Sequence, residues 1–242
     1  MARVVGDSYF QKKEYSKASS FYQVIFDQSK KIKREDYYHM GYCKYVGKDY
    51  AQASELLAQV TTGDDAMAQN AYYHLADCYL KQNDKKRARV AFEAASRFDF
   101  DKKISEDASF NCLKLNYELS FSPFNEIINS FLAFIEKYPD SPNIDQAYDY
   151  LGKAFVTSKN YKEALQSMER IKGKTPPVYK AMQRLAYYRG VELYIDQQYD
   201  EAIYFFDYSL KYGEYDRLLK SRAFYWRGES DYRLARFEMA QN

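Results

Sequence analysis

Apolar residues recur along this chain at helical spacing, and the same arrangement returns every 35 to 38 residues. In Tyr37-x-x-Met40-Gly41 and Tyr72-x-x-Leu75-Ala76-x-x-Tyr79, large apolar residues and a small one share a single helical stripe. A second stripe follows each, Tyr50-x-x-Ala53-x-x-x-Leu57 and Ala88-x-x-x-Phe92. Gly6 with Tyr9 leads likewise to Tyr15-x-x-Ala18-x-x-x-Tyr22. Later, Tyr148-x-x-Leu151-Gly152-x-x-Phe155 leads to Tyr161-x-x-Ala164-x-x-x-Met168, Gly190 to Tyr199-x-x-Ala202-x-x-x-Phe206, and Gly228 to Phe237-x-x-Ala240. The pattern predicts paired helices. One pair cannot bury its stripe alone, so each must stack on the next, with small residues setting how closely two backbones approach.

Between Ala76 and Gly152 there is room for one more unit, and it is degenerate. Phe110-x-x-Leu113-x-x-x-Tyr117 and Ile127-x-x-x-Phe131-x-x-Phe134 supply its helices, but Lys114 and Ile127 stand where small residues are expected. Looser packing or a shifted helix is predicted there. The chain then divides into seven units in one array: 1–33 (partial), 34–68, 69–103, 104–143 (degenerate), 144–180, 181–219 and 220–242 (partial). Pro139-Asp140-Ser141-Pro142 and Thr175-Pro176-Pro177 fit helix boundaries, with Asp140 or Ser141 as a cap and proline in the following first turn.

The repeat resembles the tetratricopeptide repeat, a helix-turn-helix unit of about 34 residues with an aromatic, Leu-Gly, Tyr, Ala, Phe and Pro at fixed offsets. That resemblance implies an all-α solenoid of helix pairs in a right-handed superhelix, without a β-sheet. The Tyr-Pro-x-Ser-Pro turn at Tyr138 also resembles units of bacterial cell-envelope proteins of this kind, a hint toward the envelope. Because Gly6 falls late in its unit and Ala240 opens a second helix just before Asn242, the chain reads as a fragment of a longer array. The stretch 223–242 is expected to be the most mobile part, or to be covered by another molecule.

Composition agrees with a globular helical chain. Of 242 residues, 46% are hydrophobic, and nine Gly and five Pro leave few tight turns for an all-β protein. Mean hydropathy is −0.68, yet the 27 tyrosines counted as polar each carry a large apolar ring. A net charge of +2 gives no general affinity for nucleic acid. The run Lys30, Lys31, Lys33, Arg34 reads as a solvated helix end rather than a nucleic-acid patch. No stretch has the length and apolarity of a membrane span, and residues 1–7 hold no signal-peptide core. Three cysteines make no disulfide framework.

Phosphate loops, nucleophile elbows, zincin helices and dinucleotide fingerprints are absent from the sequence, and two histidines are few for proton transfer. Neither catalysis nor a cofactor is expected. His39-x-x-x-Cys43 and His74-x-x-x-Cys78 place two possible zinc donors on one face of each of two helices. Stacked helices about 8–10 Å apart would not bring all four within roughly 2.3 Å of one ion, so these residues are read as packing toward the neighbouring repeat.

What remains is a groove. In a tetratricopeptide-like array the first helices line the concave surface. The positions three before, one after and four after the small residue make one face there. They hold Tyr38, Tyr42 and Tyr45; Tyr73, Asp77 and Leu80; Asp149, Lys153 and Val156; Tyr187, Val191 and Tyr194; Tyr225, Glu229 and Tyr232. Tyrosine dominates, as it does at recognition surfaces. The expected function is a non-catalytic scaffold binding a peptide or helix of a partner protein there. The alternatives are a regulatory or sensor array of a larger signalling protein and an envelope-assembly factor. An acidic chaperone tail is disfavoured, because Asp7 and Asp77 would repel it.

Overall fold

The structure, a computed structural model, describes residues 1–28, 31–119, 124–158, 161–169, 171, 174–236 and 239. Thirteen helices and no strand occur among them. They fall into two compact units, Met1–Phe121 and Ser122–Asn242. The first holds α1 (Ala2–Gln11), α2 (Tyr15–Gln28), α3 (Arg34–Val46), α4 (Tyr50–Ala58), α5 (Ala66–Lys81), α6 (Lys85–Arg97) and α7 (Lys102–Glu118). The second holds α8 (Phe124–Lys137), α9 (Ile144–Ser158), α10 (Tyr161–Glu169), α11 (Pro176–Ile195), α12 (Tyr199–Lys211) and α13 (Arg217–Arg233). The boundary lies between α7 and α8, the two helices assigned to the degenerate repeat. Phe237 and Ala240, read as opening a further helix, lie outside the described residues.

Within each unit every helix packs on its successor, and first helices also contact first helices: α1 on α3, α3 on α5, α5 on α7, α9 on α11 and α11 on α13. The small residues of the second helices, Ala18, Ala53, Ala88, Ala164 and Ala202, are all fully buried, and so are Tyr22, Leu57, Met168 and Phe206 four positions on. Gly190 shows why the first helix needs glycine. A Cβ there would lie 2.7 Å from the Phe206 ring. Gly152 departs from this scheme: its missing Cβ makes room for Ala181 of the next first helix, at 3.0 Å, instead of its own second helix.

Five of the turns among the described residues are marked by a residue other than glycine with positive φ. Lys13, Lys48 and Asn83 recur at the 35-residue period, and Gln197 and Ala235 at 38, with φ between 58 and 63 degrees. Left-handed backbone costs an L-residue about 1–2 kcal/mol, so the flanking helices must impose it. Aspartate starts many of the helices: Asp49, Asp65, Asp84, Asp101 and Asp216 each accept a backbone N–H from the first turn. Pro142 lies in the turn before α9, not in its first turn, and Ser141 Oγ accepts from the Asn143 N–H at 3.2 Å.

Consecutive repeats are joined by a polar latch that the sequence pattern did not reveal. Seven positions before the small residue, Arg34 donates to the Val60 carbonyl and, with both terminal nitrogens, to Asp65. At the same place in the next repeat, fully buried Gln69 donates to the carbonyls of Phe98 and Asp101 and to Ser105, and accepts the Asp101 N–H at 2.7 Å. In the second unit Gln183 donates to the Asp216 carbonyl at 2.9 Å. Asp65, Asp101 and Asp216 are the caps of the following first helix, so the latch grips the point where the next repeat begins. Gln69→Leu, which keeps the volume but leaves the Asp101 amide without its acceptor, is expected to lower unfolding free energy by about 2 kcal/mol in urea titrations.

Candidate interaction surface

In the first unit, the face of α3 and α5 picked out by the repeat offsets carries an aromatic layer. Tyr42 is its hub. Its ring meets Phe10, Tyr15 and His74 edge-on at 4.9–5.6 Å and lies 6.3 Å from a nearly parallel Tyr38 and 6.0 Å from Tyr45. Tyr38, Tyr42, Tyr45, Tyr73, Asp77 and Leu80 are all half-buried. The tyrosines are therefore partly packing residues, and their phenols are committed. Tyr45 donates to Asp77 at 2.8 Å and Tyr73 to Asp107 at 2.6 Å, each reaching into the following repeat, while Tyr22 donates to Asp7 at 2.7 Å. Desolvation raises the Tyr38 phenol to about 12 and, with the carboxylate bonds, pushes Tyr45 and Tyr73 up as well, so all three stay protonated donors.

The second unit repeats the brace. Tyr194, four after Gly190, donates to Glu229, one after Gly228, at 3.2 Å, just as Tyr45 joins Asp77. Its ring also packs edge-on against Trp226 at 4.9 Å. Asp149 pairs with Lys153 at 2.6 Å and with Arg184 at 3.7 Å. Together with Asp145, Lys180, Ala181, Tyr215 and the prolines 176 and 177, Asp149 and Arg184 line a cleft of about 320 Å³. Val156 and Val191 are half-buried. Tyr225 and Tyr232 stand out at 64% and 57% exposure. Tyr187 does not: it is 7% exposed, packed against Tyr188 and Phe206, because α11 turns this position toward α12. Of the positions read as groove-facing, Tyr187 is thus a buried packing residue.

The histidine–cysteine pairs pack toward neighbouring repeats. His39 lies 4.4 Å from the Phe10 ring, and its Nδ1 is 3.0 Å from the Tyr22 hydroxyl and 3.2 Å from Asp7. His74 lies 4.9 and 4.8 Å from Tyr42 and Tyr45 of the preceding repeat. Cys43 and Cys78 are buried thiols that desolvation raises to about 12. Among the described residues no three His, Cys, Asp or Glu converge on a metal position. In the basic run, Lys30 lies outside the described residues and Arg34 belongs to the latch. No described helix is long and apolar enough to cross a membrane.

Comparison with known proteins agrees with this architecture. Residues 47–104 match the tetratricopeptide repeat family model. YrrB, described as a tetratricopeptide repeat protein with an unusual peptide-binding site, superimposes with a TM-score of 0.51 at 15% identity, covering 92% of this chain and 89% of YrrB. The C-terminal part of a tetratricopeptide repeat-containing protein from Cytophaga hutchinsonii gives 0.55 at 14% identity, covering 98% and 88%. A chain of the Naa15/Naa10 complex bound to HypK gives 0.60 at 14% identity, over 99% of this chain but 35% of that one. Among curated proteins none matches by sequence.

Proposed function

We infer, from the premise that residues 47–104 match the tetratricopeptide repeat and that α1 with α2, α9 with α10 and α11 with α12 pair as neighbours in the same way, that this chain is a non-catalytic scaffold for protein–protein interaction. Its partner would lie as an extended peptide or a helix on the tyrosine-bearing face of the first helices of a unit, each unit taken by itself. One observation carries the reading. Tyr225 and Tyr232 keep most of their surface on α13, and Tyr38, Tyr42 and Tyr73 keep part of theirs on α3 and α5, at equivalent repeat offsets. Clustered aromatic surface of this kind is uncommon on a protein unless something covers it. The peptide-binding site named for YrrB gives a precedent on a similar fold.

The test separates binding from packing. Tyr225→Ala is expected to leave stability within about 0.5 kcal/mol of the parent, as exposed substitutions do. It should weaken peptides selected from a random display library on the full chain by about 1–3 kcal/mol. Tyr187→Ala is the packing control, with a loss in melting temperature that Tyr225→Ala does not share. Selected peptides that bind Tyr225→Ala and Tyr42→Ala as tightly as the parent would refute the surface.

A further inference from the structure

In the first unit, the aromatic face carries carboxylates in a regular series, each bonded to a tyrosine. Asp7, Asp77 and Asp107 each accept a tyrosine hydroxyl. A phenol satisfies a lone pair but leaves the negative charge in place. Asp77 has no lysine, arginine or histidine within ion-pair distance among the described residues. The imidazole of His74, three residues before it on α5 and part of the aromatic layer, is held neutral by burial, so it does not offset that charge near pH 7. Arg3, at the other end of the layer, is bound through two nitrogens to buried Asp36. Around Asp77 lie the half-exposed rings of Tyr42, Tyr45 and Tyr73, joined through His74. The corresponding face of the second unit is different, since Asp149 there is compensated by Lys153 and Arg184.

We propose that the face formed by Tyr38, Tyr42, Tyr45, Tyr73 and Asp77 is a docking surface for an arginine- and lysine-rich segment of a partner protein. The proposal rests on the reading of these faces as interaction surfaces and adds the charge of the occupant. A guanidinium is attracted to aromatic faces through the ring quadrupole, stacks on them along its plane, and pairs with a carboxylate that lacks a cation. One arginine can do both at Tyr42–Tyr45–Asp77. The uncompensated charge at Asp77 would also favour a basic segment over an acidic one at this face.

The experiment uses the full chain and three fluorescein-labelled peptides of equal length, alternating glycine with arginine, glutamine or glutamate. The arginine peptide is expected to bind at least about tenfold tighter than the glutamine peptide and to lose affinity as salt is added. Asp77→Asn, which retains an acceptor for Tyr45, should weaken the arginine peptide by about three- to tenfold without lowering the melting temperature. Asp149→Asn should leave it unchanged. Amide shift changes on titration should fall on α3 and α5. Glutamate bound as well as arginine, arginine binding indifferent to Asp77→Asn, or no binding by any peptide would overturn the proposal. Perturbation of Tyr38 and Tyr42 by the glutamine or glutamate peptide, but not by the arginine one, would leave the interaction surface standing and remove its basic partner. Arginine binding mapped away from α3 and α5 would remove both.

Discussion

Lowering the pH from 6.5 to 4 is expected to withdraw about 3 kcal/mol of stability through one side chain, His74. Its ring is wedged among Tyr42, Tyr45 and Tyr73, its Nδ1 is buried with no hydrogen-bond partner among the described residues, and the charge that acts on it is that of Asp77. Desolvation outweighs the attraction of Asp77 and lowers the imidazole from 6.5 to about 4. Because the folded state binds the proton less readily than the unfolded chain, the contribution is complete above pH 6.5 and disappears as the pH falls toward 4. Urea titrations of the parent and of His74→Phe across that window give the measurement. The difference between the two should shrink by that amount as the solution is acidified, and a difference independent of pH would remove the account.

The largest loss is expected at Phe206. Its side chain is fully buried in a cluster with Tyr187, Leu193, Ala202, Leu219 and Ala223, which ties α11, α12 and α13 together. Phe206→Ala should cost about 3–5 kcal/mol, the range of a buried aromatic emptied into a cavity. Gly190→Ala attacks the same contact from the other side by placing a Cβ 2.7 Å from the ring, and should cost about 1–3 kcal/mol by overpacking. Combined, the two should cost clearly less than the sum of their separate effects, because the cavity admits the methyl group. Strict additivity in chemical denaturation would mean that glycine is not required by the ring.

The helix pairs were legible because their determinants are periodic and apolar. Gly41 with Leu57, and Gly190 with Phe206, are close-approach contacts at positions that the spacing alone marks. The latch was not legible, since Arg34, Gln69 and Gln183 look like ordinary polar residues until they are set against caps some thirty residues away. The left-handed turn was hidden for a different reason. Lys13, Lys48, Asn83, Gln197 and Ala235 share a backbone state that their side chains do not advertise. On the candidate surface, position in the repeat was readable and exposure was not. Tyr187 and Tyr225 hold the same offset, yet the first is packed by α12 and the second lies open. The Tyr45–Asp77 and Tyr194–Glu229 braces were visible in principle, as a tyrosine four after one small residue and an acid one after the next.

The two chemistries of the latch bear on how such a chain can grow. Arg34 offers only donors, and the segment after it answers with a carboxylate and a carbonyl. Gln69 offers both a donor and an acceptor, and the segment after it answers with carbonyls and the amide of Asp101. Copying one repeat into the place of another would therefore join a guanidinium to an amide that needs an acceptor, or an amide side chain to a site shaped for charge. Order along the chain is written in matched halves, so a duplicated or transplanted repeat survives only when its downstream neighbour's first turn travels with it.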